Sequence, residues 1–358
     1  MKQRTRVLGI FLAVVMVIGL IPLTASADNG ESDKYIVHCV LSTGLPARNA
    51  EIVLTSKYVE NCVETYTADY NGIVEIPKTL SGIYGISASC AGSVQGIEWQ
   101  CTPDMNWNIN TAGDDICLKF FPVLAVELEY NDHDAYMVGY SDGSFGPNNT
   151  ITRAEVASLL YRLMTEETRD LYYSTENTFA DVQESMAHNT AISTLVNAGV
   201  IDGITGTTFG YKDIITREQF AAMLGRLFSI NYIGRDIFTD TSDSYARSYF
   251  NLLGRLGILL GDGSGCVHPS EQLTRSQVCA MLNRLLGRSS CAESTAKLSD
   301  ISNLKTFSDI DPHMALYADI IEATNSHRYE FCVSGDGNVT ESWTMLDPTI
   351  SWIAVQNK

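Results

Sequence analysis

Gly139-Tyr140-Ser141-Asp142-Gly143-Ser144-Phe145-Gly146-Pro147, followed by Ile151-Thr152-Arg153-Ala154-Glu155-Val156, reads as a turn-rich loop that runs into a helix. The chain makes the same move twice more. A glycine stands thirteen residues before a Thr-Arg pair at Gly139/Thr152-Arg153, Gly203/Thr216-Arg217 and Gly261/Thr274-Arg275. Phe145, Phe209 and Val267 occupy one shared loop position, and Pro147, Tyr211 and Pro269 another. Equal spacing in three loops means one structural unit has been copied, and an internal repeat sets the architecture before any local propensity does.

Each Thr-Arg pair opens a helix. Apolar residues recur at offsets +4, +5, +7, +8, +11 and +12 from the threonine, one face of a 3.6-residue period. Thr152 with Glu155, Thr216 with Gln219, and Thr274 with Gln277 form capping boxes. In each, the hydroxyl takes the N3 amide and the Glu or Gln reaches back to the cap. A second motif precedes the later two copies, Phe179-Ala180-Asp181-Val182 and Phe238-Thr239-Asp240-Thr241, and each leads into a helix that a glycine stops at Gly199 or Gly257. The first copy lacks this half, whereas Phe307-Ser308-Asp309-Ile310 stands near the C-terminus with no Thr-Arg after it. One missing half and one surplus half make a third unit, so the C-terminal segment is expected to pack beside the first Thr-Arg helix and close a ring. Asp181, Asp240 and Asp309 read as caps of the helices that follow them.

The first 27 residues have the pattern of a secretory signal: Lys2, Arg4 and Arg6, an apolar run from Val7 to Leu23, and a small-residue cleavage site at Ala25-Ser26-Ala27. The last residues, Ser351 to Lys358, offer no hydrophobic tail or sorting motif, so no covalent wall linkage or C-terminal anchor is expected. Removing the leader leaves 42 acidic residues against 21 basic ones. So acidic a chain is not expected to bind nucleic acid or an anionic membrane through its overall field, and any anionic ligand must be held at local sites. Nine cysteines occur without CxxC or His-paired spacing, so neither metal nor cofactor is expected. Export permits disulfides, with at least one thiol left over.

Residues 34–126 carry short alternating runs, Tyr35 to Leu41, Ala50 to Thr55, Ile73 to Ile76, Tyr84 to Ser89 and Ile116 to Val126, with turns such as Asp69-Tyr70-Asn71-Gly72 between them. They predict a small antiparallel β-sandwich. Gly44-Leu45-Pro46-Ala47, Ala50–Leu54, Thr67–Val74 and Gly82-Ile83-Tyr84 resemble the Cna B-type or carboxypeptidase-regulatory-like β-sandwich. That family implies a stalk or presentation role. Some members carry a Lys–Asn isopeptide bond. Lys34 stands where its lysine would, but the position of the promoting glutamate falls near Ala88, so the bond is not expected. Trp99 and Trp107 read as core or loop packing.

Residues 131 to about 325 resemble a set of three S-layer homology domains. Together these readings give a multidomain chain: leader 1–27, linker 28–33, β-sandwich 34–126, repeat segments 131–165, 176–230 and 236–288, and a C-terminal segment, 304–358, that completes the first repeat. The implied helical part is a mainly α pseudo-threefold trimer, a three-helix spindle with three helical prongs. The implied role is non-covalent anchoring of an exported protein to secondary cell-wall polysaccharide, often pyruvylated, in a Gram-positive-type envelope. Surface-protein partners are possible, and no membrane contact is expected after leader cleavage.

A pyruvate ketal offers a carboxylate, which Arg153, Arg217 and Arg275 at the helix tips are placed to grip, with Tyr140, Asp142 and Gly143 shaping the sugar pocket. The chain departs from the family pattern at Met186-Ala187, Tyr245-Ala246 and Met314-Ala315, where a Trp-Ala pair is usual, and in the second loop, which lacks Asp-Gly. Two other readings stand beside anchoring. A wall-active hydrolase lacks any recognisable acid/base pair, triad or metal motif. A calcium-stabilised interaction module rests on Asp262-Gly263-Ser264 and Asp336-Gly337-Asn338, neither of which has the full ligand pattern of a calcium loop.

Overall fold

The computed structural model describes residues 34–347 apart from 81, 92–96, 102–104, 109–114, 229, 231, 233, 289–294, 296–297, 299–300 and 334–338. The leader, the linker and Asp336-Gly337-Asn338 lie outside the described residues, as does the side chain of Trp107.

The N-terminal part is a sheet of eight strands: β1 Lys34–Leu41, β2 Glu51–Ser56, β3 Val63–Thr67, β4 Ile73–Pro77, β5 Ile83–Ala91, β6 Glu98–Cys101, β7 Met105–Asn108 and β8 Asp115–Pro122. Their order is β3-β2-β5-β6-β8-β1-β4, with β7 on the free part of β5. Alternation drives the burial. Tyr35, Val37, Cys39 and Leu41 face inward on β1, Ile52 and Leu54 on β2, and Ile116, Leu118 and Phe120 on β8. Trp99 is 1% exposed and belongs to this core.

One pairing corrects the antiparallel expectation. β1 and β8 run parallel, from Ile36 opposite Asp115 to Leu41 opposite Phe120. These strands are the first and last of the domain, so no hairpin forces them to oppose. The turn before β4 is built by Asp69, whose Oδ1 accepts from the backbone N–H groups of Asn71 and Ile73 at 2.8 Å. A side chain at Gly72, φ +76°, would run into the Cys39 carbonyl oxygen. Lys34 is exposed and pairs with Glu75, while Ala88 is a buried core residue. The described cysteines Cys39, Cys62, Cys90, Cys117, Cys266 and Cys279 are free thiols, and burial pushes the Cys90 thiol up to about 11.

The helical part comprises α1 Arg153–Leu163, α2 Glu166–Tyr172, α3 Asn189–Asn197, α4 Arg217–Arg226, α5 Arg247–Arg255, α6 Arg275–Leu285 and α7 Tyr317–Thr324. The three Thr-Arg helices each begin in a closed capping box. Their entry strands are tied in a ring: the Ile215 N–H donates to the Ile151 carbonyl at 3.0 Å, Leu273 to Ile215 at 3.1 Å, and Ile151 to Leu273 at 3.3 Å. All three side chains are at most 1% exposed.

Three of the other helices pack in pairs with these, α3 on α1, α5 on α4 and α7 on α6, and α2 lies against α3. The C-terminal helix therefore lies on the third Thr-Arg helix and not on the first. Each such helix follows its partner in sequence and folds back on it. The first repeat is met instead by the loop ahead of α7, where Asp309 accepts from the Phe145 and Gly146 N–H groups at 2.7 Å and Phe307 packs 5.4 Å from the Phe145 ring.

A hairpin that the sequence reading did not anticipate follows α7, β9 His327–Val333 paired antiparallel with β10 Val339–Leu346. One continuous apolar core runs from the sheet through the helices, and a smaller one gathers Leu298, Ile321, Trp343 and Leu346. Lys119 on β8 joins the parts, donating to the Gly287 carbonyl and pairing with Glu341 on β10 at 2.7 Å. No helix among the described residues is long and apolar enough to cross a membrane.

Candidate functional site

The three first-turn arginines do not project as free prongs. Arg153 Nε donates to the Phe209 carbonyl at 3.0 Å and its Nη2 to the Asp202 carbonyl at 2.8 Å. Arg217 does the same to Val267 at 2.6 Å and Leu260 at 3.2 Å, and Arg275 to Phe145 at 2.9 Å and Val138 at 2.6 Å. Each arginine thus spans from its own helix tip to the glycine loop of the next unit, the third reaching back to the first. Arg153 also lies 4.8 Å over the Phe209 ring, and Arg275 4.8 Å over Tyr140 and 4.7 Å over Phe145. Arg153 is 4% and Arg275 6% exposed, whereas Arg217 is half-buried. Burial pulls the Arg153 and Arg217 guanidiniums below their ordinary value, yet a guanidinium stays charged.

The helix tips are also less open than the sequence suggests. The Arg153, Arg217 and Arg275 N–H groups each donate at 2.9 Å to a neighbouring unit, to Asp213, Glu271 and Asn149. Glu218 and Ser276 donate to Pro269 and Pro147, and the capping threonines take the N3 amides. The orphan N–H groups that would attract an anion are mostly spent on inter-repeat bonds.

The loops are fixed from both sides. Asp181 accepts from Phe209, Gly210 and Tyr211, and Asp240 from Val267 and His268, at 2.7 to 3.1 Å. These aspartates clamp loops and cap no helix: the N-cap residues of α3, α5 and α7 are His188, Ala246 and Leu316, none with a side-chain cap. In the first loop, Asp142 Oδ1 takes the Ser144 N–H at 2.9 Å and hydroxyl at 2.6 Å, closing a turn through Gly143 at φ +85°. Asp262 does the same with Ser264, and that hydroxyl followed by His268 holds it well below the usual carboxylate range. The second loop has no aspartate there, and the Thr205 hydroxyl accepts from the Thr207 N–H instead, at 3.3 Å. Asp142 and Gly143 therefore shape their loop, and of the predicted pocket residues Tyr140 alone meets an arginine.

One groove, about 280 Å³, opens at an inter-repeat seam. Arg217 lines it from the tip of α4, Gln277 and Arg284 from α6, and Asp262, His268 and Glu271 from the third loop. Arg284 stands at the last turn of α6. Its equivalents are occupied: Arg226 pairs with Asp202 at 2.8 Å, and Arg162 donates to the Tyr136 carbonyl at 3.1 Å. At the third seam Leu260 takes the place of Asp202, and Arg284 forms no ion pair among the described residues. The signal was present in the Asp202-to-Leu260 difference, but only the seam geometry shows which arginine that difference frees.

The family model of the S-layer homology domain matches residues 134–157, 178–221 and 237–279. The chain is 27% identical over 213 residues to cell surface glycoprotein 1 of Acetivibrio thermocellus, covering 55% of this chain and 9% of that one. It is 26% identical over 217 residues to the cellulosome-anchoring protein of the same organism, 59% of this chain and 46% of that one. To the amylopullulanase of Thermoanaerobacterium thermosulfurigenes it is 31% identical over 159 residues, 42% of this chain and 8% of that one. The chain thus spans less than half the length of each of these relatives. Loops, capped helices and inter-repeat clasps recur in the three matched segments, and the helical part of this chain is a set of S-layer homology repeats.

Proposed function

We propose that this protein is a non-catalytic anchor, held at the cell surface by wall polysaccharide bound in the seams between its S-layer homology repeats. The three family segments carry the reading. Relatives named as a cell surface glycoprotein and a cellulosome-anchoring protein agree with it. The amylopullulanase match spans 8% of that enzyme, which favours a shared attachment module over a shared activity. The helical part is read as a pseudo-threefold spindle with three prongs, supported by the ring through Ile151, Ile215 and Leu273. The β-domain, of the Cna B kind on its turn residues, serves as spacer or presents the chain to surface partners.

The third seam is the leading polysaccharide site. Arg217 and Arg284 approach it from two helices, and a pyruvate-ketal carboxylate would satisfy both. Asp262 does not compete, since Ser264, Cys266 and His268 already occupy its oxygens. At the second seam, Tyr245 is 61% exposed and near Arg153 and Arg226, an aromatic face for a sugar ring at the family's tryptophan position. A charge-assisted hydrogen bond contributes roughly 1.5–3 kcal/mol, so one seam gives modest affinity and several seams on one polymer give retention.

Co-sedimentation with purified cell walls tests this. The native protein should pellet, and the Arg217→Ala, Arg284→Ala variant should be released roughly tenfold more readily. Walls stripped of pyruvate ketals by mild acid should fail to retain the native protein. Undiminished retention of the folded double variant would remove the third seam from the reading.

A further inference from the structure

Three side chains from distant parts of the chain converge beneath the C-terminal hairpin. His133 comes from the segment leading into the first repeat, Glu322 from α7 and His327 from the start of β9. They are 3%, 0% and 4% exposed. Their donor atoms form a compact triangle: His133 Nδ1 to His327 Nε2 is 3.0 Å, His133 Nδ1 to Glu322 Oε1 is 3.2 Å, and His327 Nε2 to Glu322 Oε1 is 3.5 Å. Among the described residues, neither Glu322 oxygen receives a hydrogen bond. A fully buried carboxylate with both oxygens unpaired is costly unless a cation completes it.

Hydrogen bonding within the triangle does not resolve this. The Asn325 carbonyl can only accept, so the contact at 2.9 Å places a proton on His327 Nδ1 and leaves the Nε2 lone pair of the neutral ring facing inward. His133 Nδ1 would then have to serve two acceptors with a single proton, and one Glu322 oxygen would still be bare. A metal ion satisfies all the donors together. Bonds of about 2.0–2.1 Å in a tetrahedral shell put neighbouring donor atoms about 3.3 Å apart, within the 3.0 to 3.5 Å spread of this triangle. Glu322 can fill a fourth position through its second oxygen.

We propose that His133, Glu322 and His327 form a buried site for a divalent transition-metal ion of the zinc class, a staple between the lead-in of the first repeat and the C-terminal elements. The surroundings suit ligand duty. Asn325 orients His327 from behind, as the outer partners of metal-bound histidines do. Trp343 stacks on His327 with ring centroids 3.6 Å apart, Tyr329 stacks on His133 at 3.8 Å, and the two imidazoles stand at 90° to each other. Two imidazoles and one carboxylate select zinc, cobalt or nickel over calcium and magnesium, which prefer all-oxygen shells. Arg288 is close by and pairs with no carboxylate among the described residues, donating instead to the Asp132 and Asp134 carbonyls, so its charge limits the affinity, whereas Lys119 is neutralised by Glu341. No spacing rule could reveal the site, because its two histidines are 194 residues apart.

The test uses the full chain, stripped with a chelator under reducing conditions and titrated with cobalt(II). One equivalent should bind, with visible d–d absorption of a four-coordinate ion and without the near-ultraviolet charge-transfer band of thiolate ligands. Zinc should raise the melting temperature by roughly 5 °C, and calcium and magnesium should not. Glu322→Gln and His133→Gln should each weaken cobalt binding at least tenfold. Absence of d–d bands and of a zinc-dependent shift in the unaltered protein would overturn the proposal, even if the variants fail to fold. So would a thiolate band, or stoichiometric cobalt binding that survives in folded variants.

Discussion

Arg153 and Arg275 place a buried charge between two backbone carbonyls and an aromatic face, and that geometry assigns them a structural task that ligand binding alone would not require. Each satisfies two carbonyls of the next loop, one of a fully buried phenylalanine (Phe209 or Phe145) and one of an exposed residue (Asp202 or Val138). Removing the guanidinium leaves those oxygens unpaired and opens a gap against Phe209 or Phe145. Arg153→Ala and Arg275→Ala are therefore expected to cost about 2–4 kcal/mol each in urea unfolding, and Arg217→Ala, being half-exposed, clearly less. Arg153→Lys should recover under half of the loss, because one ammonium cannot reach two carbonyls in a fixed fork. Equal stability of Arg153→Ala and the native chain would contradict the clasp. Retained wall binding by a folded Arg153→Ala variant would show that clasp and ligand grip are separate duties.

At the scale of elements, the glycine loops hold their shape because a carboxylate from the preceding motif collects their N–H groups. Burial pushes the Asp181 carboxyl up, but donors from Tyr211, Phe209 and Gly210 outweigh it and leave the group below the usual carboxylate range. Asp240 is depressed in the same way by Val267 and His268. A carboxyl depressed in the folded state adds stability at pH above its unfolded value, about 3.9, and loses it as pH falls through the folded value. Acid unfolding followed by circular dichroism should accordingly show a weaker dependence on pH between about 4 and 2 in an Asp181→Ala, Asp240→Ala variant. An unchanged acid limb would mean that other carboxylates dominate it. The helices opened by Thr152, Thr216 and Thr274 were legible because a capping box is a local device. The clamps were not, since a Phe-x-Asp motif ahead of a helix looks like a cap until the loop it serves, about 28 residues later, is seen in place. β3, β6 and β7 escaped notice for a related reason: they are four or five residues long and owe their pairing to β2 and β5 rather than to their own alternation. The β9–β10 hairpin did carry a local signal in Tyr329, Phe331, Trp343 and the alternation around them.

For the whole molecule, the decisive fact is that the ring needs both ends of the helical region. The first glycine loop has its own Thr-Arg helix but takes its aspartate and its phenylalanine from the C-terminal segment. The Tyr136 and Met137 N–H groups close on the Ala323 carbonyl at the end of α7. A chain that stops at residue 303 would leave the N–H groups of Phe145 and Gly146 without acceptors, expose Phe145, and strip α6 of its packing partner α7. The inter-repeat bonds are cyclic, so damage to the first loop passes to α6 through Arg275 and to the second unit through Ile151 and Ile215. Truncation at 303 is thus expected to abolish cooperative unfolding of the helical part, with rapid hydrogen exchange at Phe145, Gly146 and Ile151. Asp309→Ala removes only the clamp and should raise exchange chiefly at Phe145 and Gly146, leaving the unfolding transition cooperative. If the truncated chain kept slow exchange at Ile151 and a single sharp transition, the repeats would be stable as a linear array and the ring would be incidental to their stability.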